Sequence, residues 1–372
     1  MTEKVRLEVL TTPSNGDGVR RQIEKTIETN RTHFDFIMKQ VPHMEGAIQN
    51  LQGGHGDLLA MSAHQWKDLS HEGLSVVGVL PRREPTWVLV SEDKPEYLRS
   101  KAIVVCDSVL LRRQMRRLRA DLTLMDSHAF AESIAKGEAY AALAPEDRSH
   151  WLEELRQDEV LDGYIVARGV HAELKFKARR HTLGLQRENP ERTHFIPPPL
   201  HGFTLLVARN GFPSASVQVM CDNGAYIAHR MEVAFLASIP EALHPITGIF
   251  VEQRKIAAIL REANRSNDEQ TLEGVLDIDK RIRTPGPRLE MRMETLNHHG
   301  TVTAGAERVC PVEESHMGMV NVLREFQNLL DMMLSEHDEI PRQHIGLPDE
   351  FSMARPPLLD LAEDHSDSSE EE

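Results

Sequence analysis

Ser108-Val-Leu-Leu-Arg-Arg-Gln-Met-Arg-Arg-Leu-Arg-Ala-Asp-Leu122 is the stretch from which the fold can be read. It follows the apolar run Ala102-Ile-Val-Val-Cys106, which reads as a buried strand. A strand therefore ends, turns and opens a helix carrying Arg112, Arg113, Arg116, Arg117 and Arg119. Guanidiniums this close repel one another and need anions. A strand-to-helix turn sets the first of them beside free backbone N–H groups, where anions bind readily. A solvated basic helix face is the alternative reading.

Four further segments surround this unit: His64-Gln-Trp-Lys-Asp68, Gly73-Leu-Ser-Val-Val-Gly-Val-Leu-Pro-Arg-Arg-Glu-Pro-Thr-Trp-Val-Leu-Val-Ser91, Asp162-Gly-Tyr-Ile-Val-Ala167 and Glu232-Val-Ala-Phe-Leu236. In order and rough spacing the set resembles porphobilinogen deaminase (hydroxymethylbilane synthase). That family joins four porphobilinogens head to tail on a covalently held dipyrromethane, in the pathway to heme and related tetrapyrroles. The resemblance runs from about Val5 to about Leu334 and is closest over 64–122. It implies an α/β fold of three domains, with two periplasmic-binding-protein-like lobes around a cleft and a small α/β third domain. The expected boundaries are 1–95 with 200–215, then 96–199, then 216–335, followed by an acidic tail over 336–372.

The resemblance also implies site residues. Asp68 takes the place of the carboxylate that steers protonation and stabilises cationic pyrrole intermediates. A fixed carboxylate suits that task, because loss of ammonia from an aminomethyl-pyrrole leaves a delocalised cation. Lys67, Arg112 and Arg113 take the places of groups that hold acetate and propionate arms, and Thr12 keeps a hydroxyl after the first strand. The implied ligands are porphobilinogen or linear tetrapyrrole carboxylates.

Departures from the family pattern are as informative. Leu243 falls where the family has the cysteine that forms the thioether to its cofactor, so covalent dipyrromethane attachment is expected to be absent. Cys106, Cys221 and Cys310 lie elsewhere in the chain. Leu10 replaces an arginine, Asp126-Ser-His-Ala-Phe130 replaces an Arg-Gly-Asn turn, and Glu173 falls near a further substrate arginine. The glycine-rich lid is reduced to Gly53-Gly-His-Gly56. Two functional expectations follow: an active deaminase that holds its primer differently, or a non-catalytic relative keeping the fold as a tetrapyrrole-binding or assembly module.

Composition agrees with a multidomain globular chain. It has 372 residues, 40% hydrophobic and 27% charged, with a formal net charge of −15. That charge argues against nucleic-acid or anionic-membrane partners, although 360–372 alone carries seven acids and no Lys or Arg. Three cysteines without paired spacing suggest a reducing compartment. The expected location is the cytoplasm and the expected state a monomer. His55, His64 and His71 match no metal-site spacing, and no metal is expected.

Periodicity adds local expectations: a strand over 5–10, a helix over 17–40, strands at 74–80 and 87–91, and a crossover at 92–98. The stretch 137–160 is acidic, and its Glu153-Glu-Leu155 and Asp158-Glu-Val160 read as a solvated helix. Leu289, Met291 and Met293 alternate with Glu290, Arg292 and Glu294 as a half-exposed strand. The stripe Val322, Leu323, Phe326, Leu330 and Met333 reads as core. The proline-containing tail over 336–372 is expected to be disordered, and removable from about 341 onward with little loss of fold.

Overall fold

A computed structural model describes residues 5–13, 17–174, 177–187, 192–335 and 358–359 of the chain. In the first domain β1 (Val5–Thr11), α1 (Val19–Thr29), β2 (Phe34–Gln40), α2 (Met44–Gln52), β3 (Leu58–Ser62), α3 (Ala63–Lys67) and β4 (Leu74–Val79) follow in turn. The second domain holds β5 (Trp87–Ser91), β6 (Ile103–Val105), α4 (Val109–Leu118), β7 (Thr123–Met125), α5 (Ser127–Ser133), α6 (Gly137–Ala141), α7 (Pro145–Gln157), β8 (Gly163–Ala167), α8 (Arg168–Leu174) and β9 (Arg180–Leu183). The chain returns through β10 (Thr204–Arg209) to the first sheet. The third domain comprises α9 (Asn223–Ala237), β11 (Thr247–Arg254), α10 (Ile256–Ser266), α11 (Glu269–Val275), β12 (Arg288–Leu296), β13 (Thr303–Pro311) and α12 (Ser315–Leu334).

The two lobes share one topology. The first sheet runs β2-β1-β3-β10-β4 and the second β7-β6-β8-β5-β9. In each, three parallel strands are joined by one antiparallel strand, β10 or β5, that arrives from the other lobe. This is the α/β, two-lobed periplasmic-binding-protein arrangement. The third sheet, β11-β12-β13, is antiparallel.

Several boundaries differ from the sequence reading. β5 pairs with β8 and β9, so the first crossing is 80–86 rather than 92–98. Residues 34–40 form β2 rather than the end of a long helix, because Phe34 and Phe36 alternate onto the first sheet. The acidic segment is α6 and α7, but Glu153 is buried, accepting from Tyr164 and Arg156 at 2.9 Å. Both faces of β12 are covered, since Glu290 and Glu294 are buried as fully as Leu289 and Met293. Asn189-Pro190, the start of the basic run at Lys175 and most of the tail lie outside the described residues. Within that tail Leu359 is buried at 2% exposure, and its N–H donates to the Met333 carbonyl at 3.0 Å.

How the domains are joined matters for the site. One continuous apolar core unites the first and third domains, with Leu59, Met61 and Phe203 meeting Phe235, Leu243 and Phe326. The second domain has its own cores on the two faces of its sheet. Val109 of α4 packs on the shared core, and polar contacts also join the second domain to the third. Arg117 pairs with Glu294 at 2.6 Å, and Gln114 donates to Glu294 at 3.0 Å. Gly300, in the β12–β13 turn, approaches α4 so closely that a Cβ would lie 2.5 Å from the Arg113 carbonyl. Its φ of +69° is the left-handed conformation glycine adopts without penalty.

Candidate functional site

Loops from the carboxyl ends of β1, β3 and β8 face one another across the crossing strands, the place where open α/β sheets hold ligands. After β3 the chain turns directly into α3. Ser62 caps that helix: its Oγ accepts from the Gln65 N–H at 3.3 Å while Gln65 Oε1 accepts from the Ser62 N–H at 3.1 Å. The cap holds Lys67 and Asp68 at the end of a single turn, both exposed. Trp66 stacks on His71 with ring centroids 3.8 Å apart, which fixes the same turn from outside.

Lys67 meets the third domain. Its Nζ lies 3.5 Å from His244 Nδ1. His244 Nε2 faces the carbonyls of Leu236 and Ile239 at 3.0 and 3.3 Å, so it carries the proton and leaves Nδ1 to accept from lysine. His244 belongs to the 3-10 turn Glu241–Ile246, and that turn also touches α4. The structure thus brings the Lys67–Asp68 turn and the arginine helix to the same element, the one that carries Leu243. Leu243 itself is 1% exposed and sits in the core joining the first and third domains.

The arginine helix is neither a solvated face nor an open anion trap. Arg112 and Arg113 are 4% and 1% exposed. Arg112 Nη1 donates to the Cys106 carbonyl at 2.7 Å, and Arg113 Nη1 crosses to the Leu296 carbonyl at 2.7 Å. Arg116 donates to the His298 carbonyl at 3.1 Å, and Arg119 grips Asp121 through two bonds of 2.7 and 2.9 Å. Arg117 and Arg119 meet the protein's own carboxylates, Glu294 and Asp121, while Arg112, Arg113 and Arg116 donate to backbone carbonyls. Of the remaining candidates, Thr12 is half-buried just past β1, and Leu10 is buried. Asp126 caps α5 through the Ala129 N–H at 2.8 Å. Glu173 lies in α8, and its side chain is outside the described residues.

The cleft is lined by groups the sequence did not single out. A cavity of about 200 Å3 lies between Ser62, His64, Arg83, Gly169 and His201. A larger one of about 720 Å3 shares Arg83 and Gly169 and adds Arg21, Lys25 and Arg168. Glu84 is its one lining carboxylate among the described residues, and it pairs with Arg168 at 2.7 Å. The Arg83 guanidinium donates to the Asp17 carbonyl and so bridges the crossing segment to the loop after β1. Burial, helped by His64, Arg82 and Arg83, pushes the His201 imidazole down to about 3, and the ring stacks on Trp87 at 5.0 Å. The larger cavity, with Arg21, Lys25, Arg83 and Arg168 against Glu84, carries a positive balance suited to carboxylates, whereas the smaller one, where His201 is neutral, also has Asp17 and Glu84 in its lining. The signal for this site was Arg82-Arg83-Glu84 between two prolines, since prolines stiffen a crossing segment.

No thiol is prepared for covalent chemistry. Burial pushes Cys106 up to about 12 and Cys221 up to about 11, and it raises Cys310 as well. Nucleophilic cysteines have the opposite displacement.

No known family's sequence profile matches the chain, and no curated protein matches it. Among solved structures, the periplasmic aliphatic sulphonate binding protein SsuA from Escherichia coli is 14% identical with a TM-score of 0.30, over 88% of this chain and 87% of its own. The ligand-binding component of an ABC-type import system from Staphylococcus aureus, with zinc bound, is 11% identical with a TM-score of 0.32. That match covers 65% of this chain and 77% of the other. A TRAP periplasmic solute binding protein from Desulfovibrio salexigens is 11% identical with a TM-score of 0.33, over 60% and 73%.

Proposed function

We propose that this protein is a diverged, non-catalytic relative of porphobilinogen deaminase, which keeps the three-domain frame as a binding module for pyrrole carboxylates. One observation carries the reading. Leu243 stands, buried, on the element that meets both the Lys67–Asp68 turn and the arginine helix. A thioether cannot form on leucine, and the three thiols are buried or raised away from reactivity.

Binding would then fall to the cationic cleft. Arg83, Arg21, Lys25 and Arg168 would take carboxylate arms. Dipyrromethane would be held by these charges and not by a covalent bond. Arg112 and Arg113, committed to backbone carbonyls, would position α4 and contribute less to ligand affinity than the resemblance implies.

Calorimetric titration with porphobilinogen, beside an assay for released ammonia, tests this. Binding without turnover is expected, and Arg168→Ala should weaken it tenfold or more, the scale of one charge-assisted bond. Ammonia release with formation of a linear tetrapyrrole would overturn the proposal.

A further inference from the structure

The third domain contains a second cavity, remote in composition from the interlobe cleft. It lies between the polar face of β12 and the α10–α11 pair and measures about 470 Å3. That is within the usual range for small-molecule sites. Most charges around it are satisfied within the protein. Glu290 accepts from Arg187 and Arg254 at 2.8 Å and from Arg292 at 2.7 Å. Arg254 also holds Glu262 at 2.5 Å, and Arg292 lies 3.2 Å from Glu307.

Arg288 is the exception. It is 4% exposed, yet it forms no ion pair among the described residues. Its Nη2 donates to the Thr284 carbonyl at 2.8 Å, while its buried Nη1 has no hydrogen-bond partner. Burying a guanidinium in this condition is unfavourable unless something else meets the charge. Two more arginines line the same cavity from its exposed rim, Arg283 and Arg308, and neither forms an ion pair among the described residues. The lining carboxylates outside the Glu290 network are Asp268, which caps α11 through the Thr271 N–H at 3.0 Å, and Glu314. The balance of uncommitted charge is positive.

We propose that this cavity binds the oxyanion group of a small metabolite, a phosphate or a carboxylate, seated on Arg288 and closed over by Arg283 and Arg308. Gln270 and Thr271 on α11 line the same space and supply polar contacts for the rest of such a ligand. Occupancy would clamp α10 and α11 onto the sheet, because Arg288 lies on β12 and Arg283 on the loop that follows α11.

Calorimetry on the full chain with inorganic phosphate and with citrate, combined with hydrogen exchange, tests the site. Saturable binding of one probe is expected, with slower exchange over 256–275. Tighter phosphate binding would mark a phosphoryl ligand, and tighter citrate binding a polycarboxylate. Arg283→Gln and Arg308→Gln, both at exposed positions and so compatible with folding, should each weaken binding several-fold. Arg288→Lys should weaken it tenfold or more if it folds as judged by its melting curve. Arg281→Gln, exposed and off the cavity lining, should leave it unchanged. Absence of saturable binding by either probe would overturn the proposal. So would binding that is indifferent to both rim substitutions or unaccompanied by protection over 256–275.

Discussion

Arg82 and Glu232 form a buried ion pair, Nη1 to Oε1 at 2.7 Å, that ties the crossing segment between the two lobes to the third domain. Both partners make further hydrogen bonds. Arg82 also donates to the carbonyls of His201 and Val251, and Glu232 accepts from the N–H groups of Leu200 and Val251 at 2.7 and 2.9 Å. The guanidinium lies 3.9 Å from the Phe203 ring centroid. Glu232 opens the segment 232–236 that contributed to the family resemblance. Its place in the fold gives that carboxylate an architectural reason, independent of catalysis.

Removing one partner leaves a buried charge unmet. Glu232→Ala should cost about 3–5 kcal/mol of stability, as is usual when a buried pair is broken. Denaturant unfolding would measure it. A loss below about 1 kcal/mol would mean that water reaches the pair and screens it.

The polar contacts between the second and third domains make a separate prediction. Arg117 and Glu294 touch directly, so Arg117→Ala and Glu294→Ala should be coupled by about 0.5–3 kcal/mol in a double-mutant cycle. Burial pushes the Glu294 carboxyl up, but bonds from His194 and Arg117 outweigh it and hold the group below the usual carboxylate range. The stability from that lowered affinity for protons is therefore present above the unfolded value near 4.5 and is lost as pH falls through the folded value. Additive single mutants would show that the junction does not depend on this pair.

His229 gives the protein a milder acid sensitivity. It lies on α9 against Phe203 at 5% exposure, and burial together with Arg82 pushes its imidazole down to about 4 from 6.5. The unfolded chain binds that proton more tightly. The contribution is thus complete above about 6.5 and falls as the solution is acidified towards 4. Between pH 7 and pH 5 the loss from this group should be on the order of 2 kcal/mol. His201 is shifted in the same direction and adds to the trend. His229→Leu should flatten the dependence in that interval, and an unchanged slope would assign the sensitivity elsewhere.

Leu359 alters the expectation for the tail. Its side chain lies in the core shared by the first and third domains, beside the end of α12. Full burial of a leucine is worth about 1.5–3 kcal/mol. Truncation after residue 340 should therefore lower the unfolding midpoint, and Leu359→Asp in the full chain should do the same. If both proteins melted with the intact chain, the segment would contribute nothing to stability.

The strand-to-helix unit at 102–118 could be read from sequence because its pattern is local: an apolar run, a Ser108 cap and amphipathic spacing. The buried stripe of α12 was visible for similar reasons. What escaped was set by distant partners. The polar residues of β12 suggest solvent, since nothing near them in sequence announces Arg117, Arg187 or Arg254 as neighbours. The roles of Arg112 and Arg113 likewise depend on carbonyls, and the Leu296 carbonyl is supplied by a strand 183 positions later. β5 was assigned to the wrong lobe because a buried strand carries no mark of which sheet receives it. Leu243, by contrast, drew notice at once, because a missing thiol is a statement about chemistry that needs no coordinates.

The mass of the intact protein after incubation with porphobilinogen tests the central claim most directly. The account predicts the mass of the bare chain, 42.1 kDa, with no pyrrole retained under denaturing conditions. A covalent adduct of about two pyrrole units would contradict it, and the peptide carrying that adduct would identify which residue does the work that Leu243 cannot.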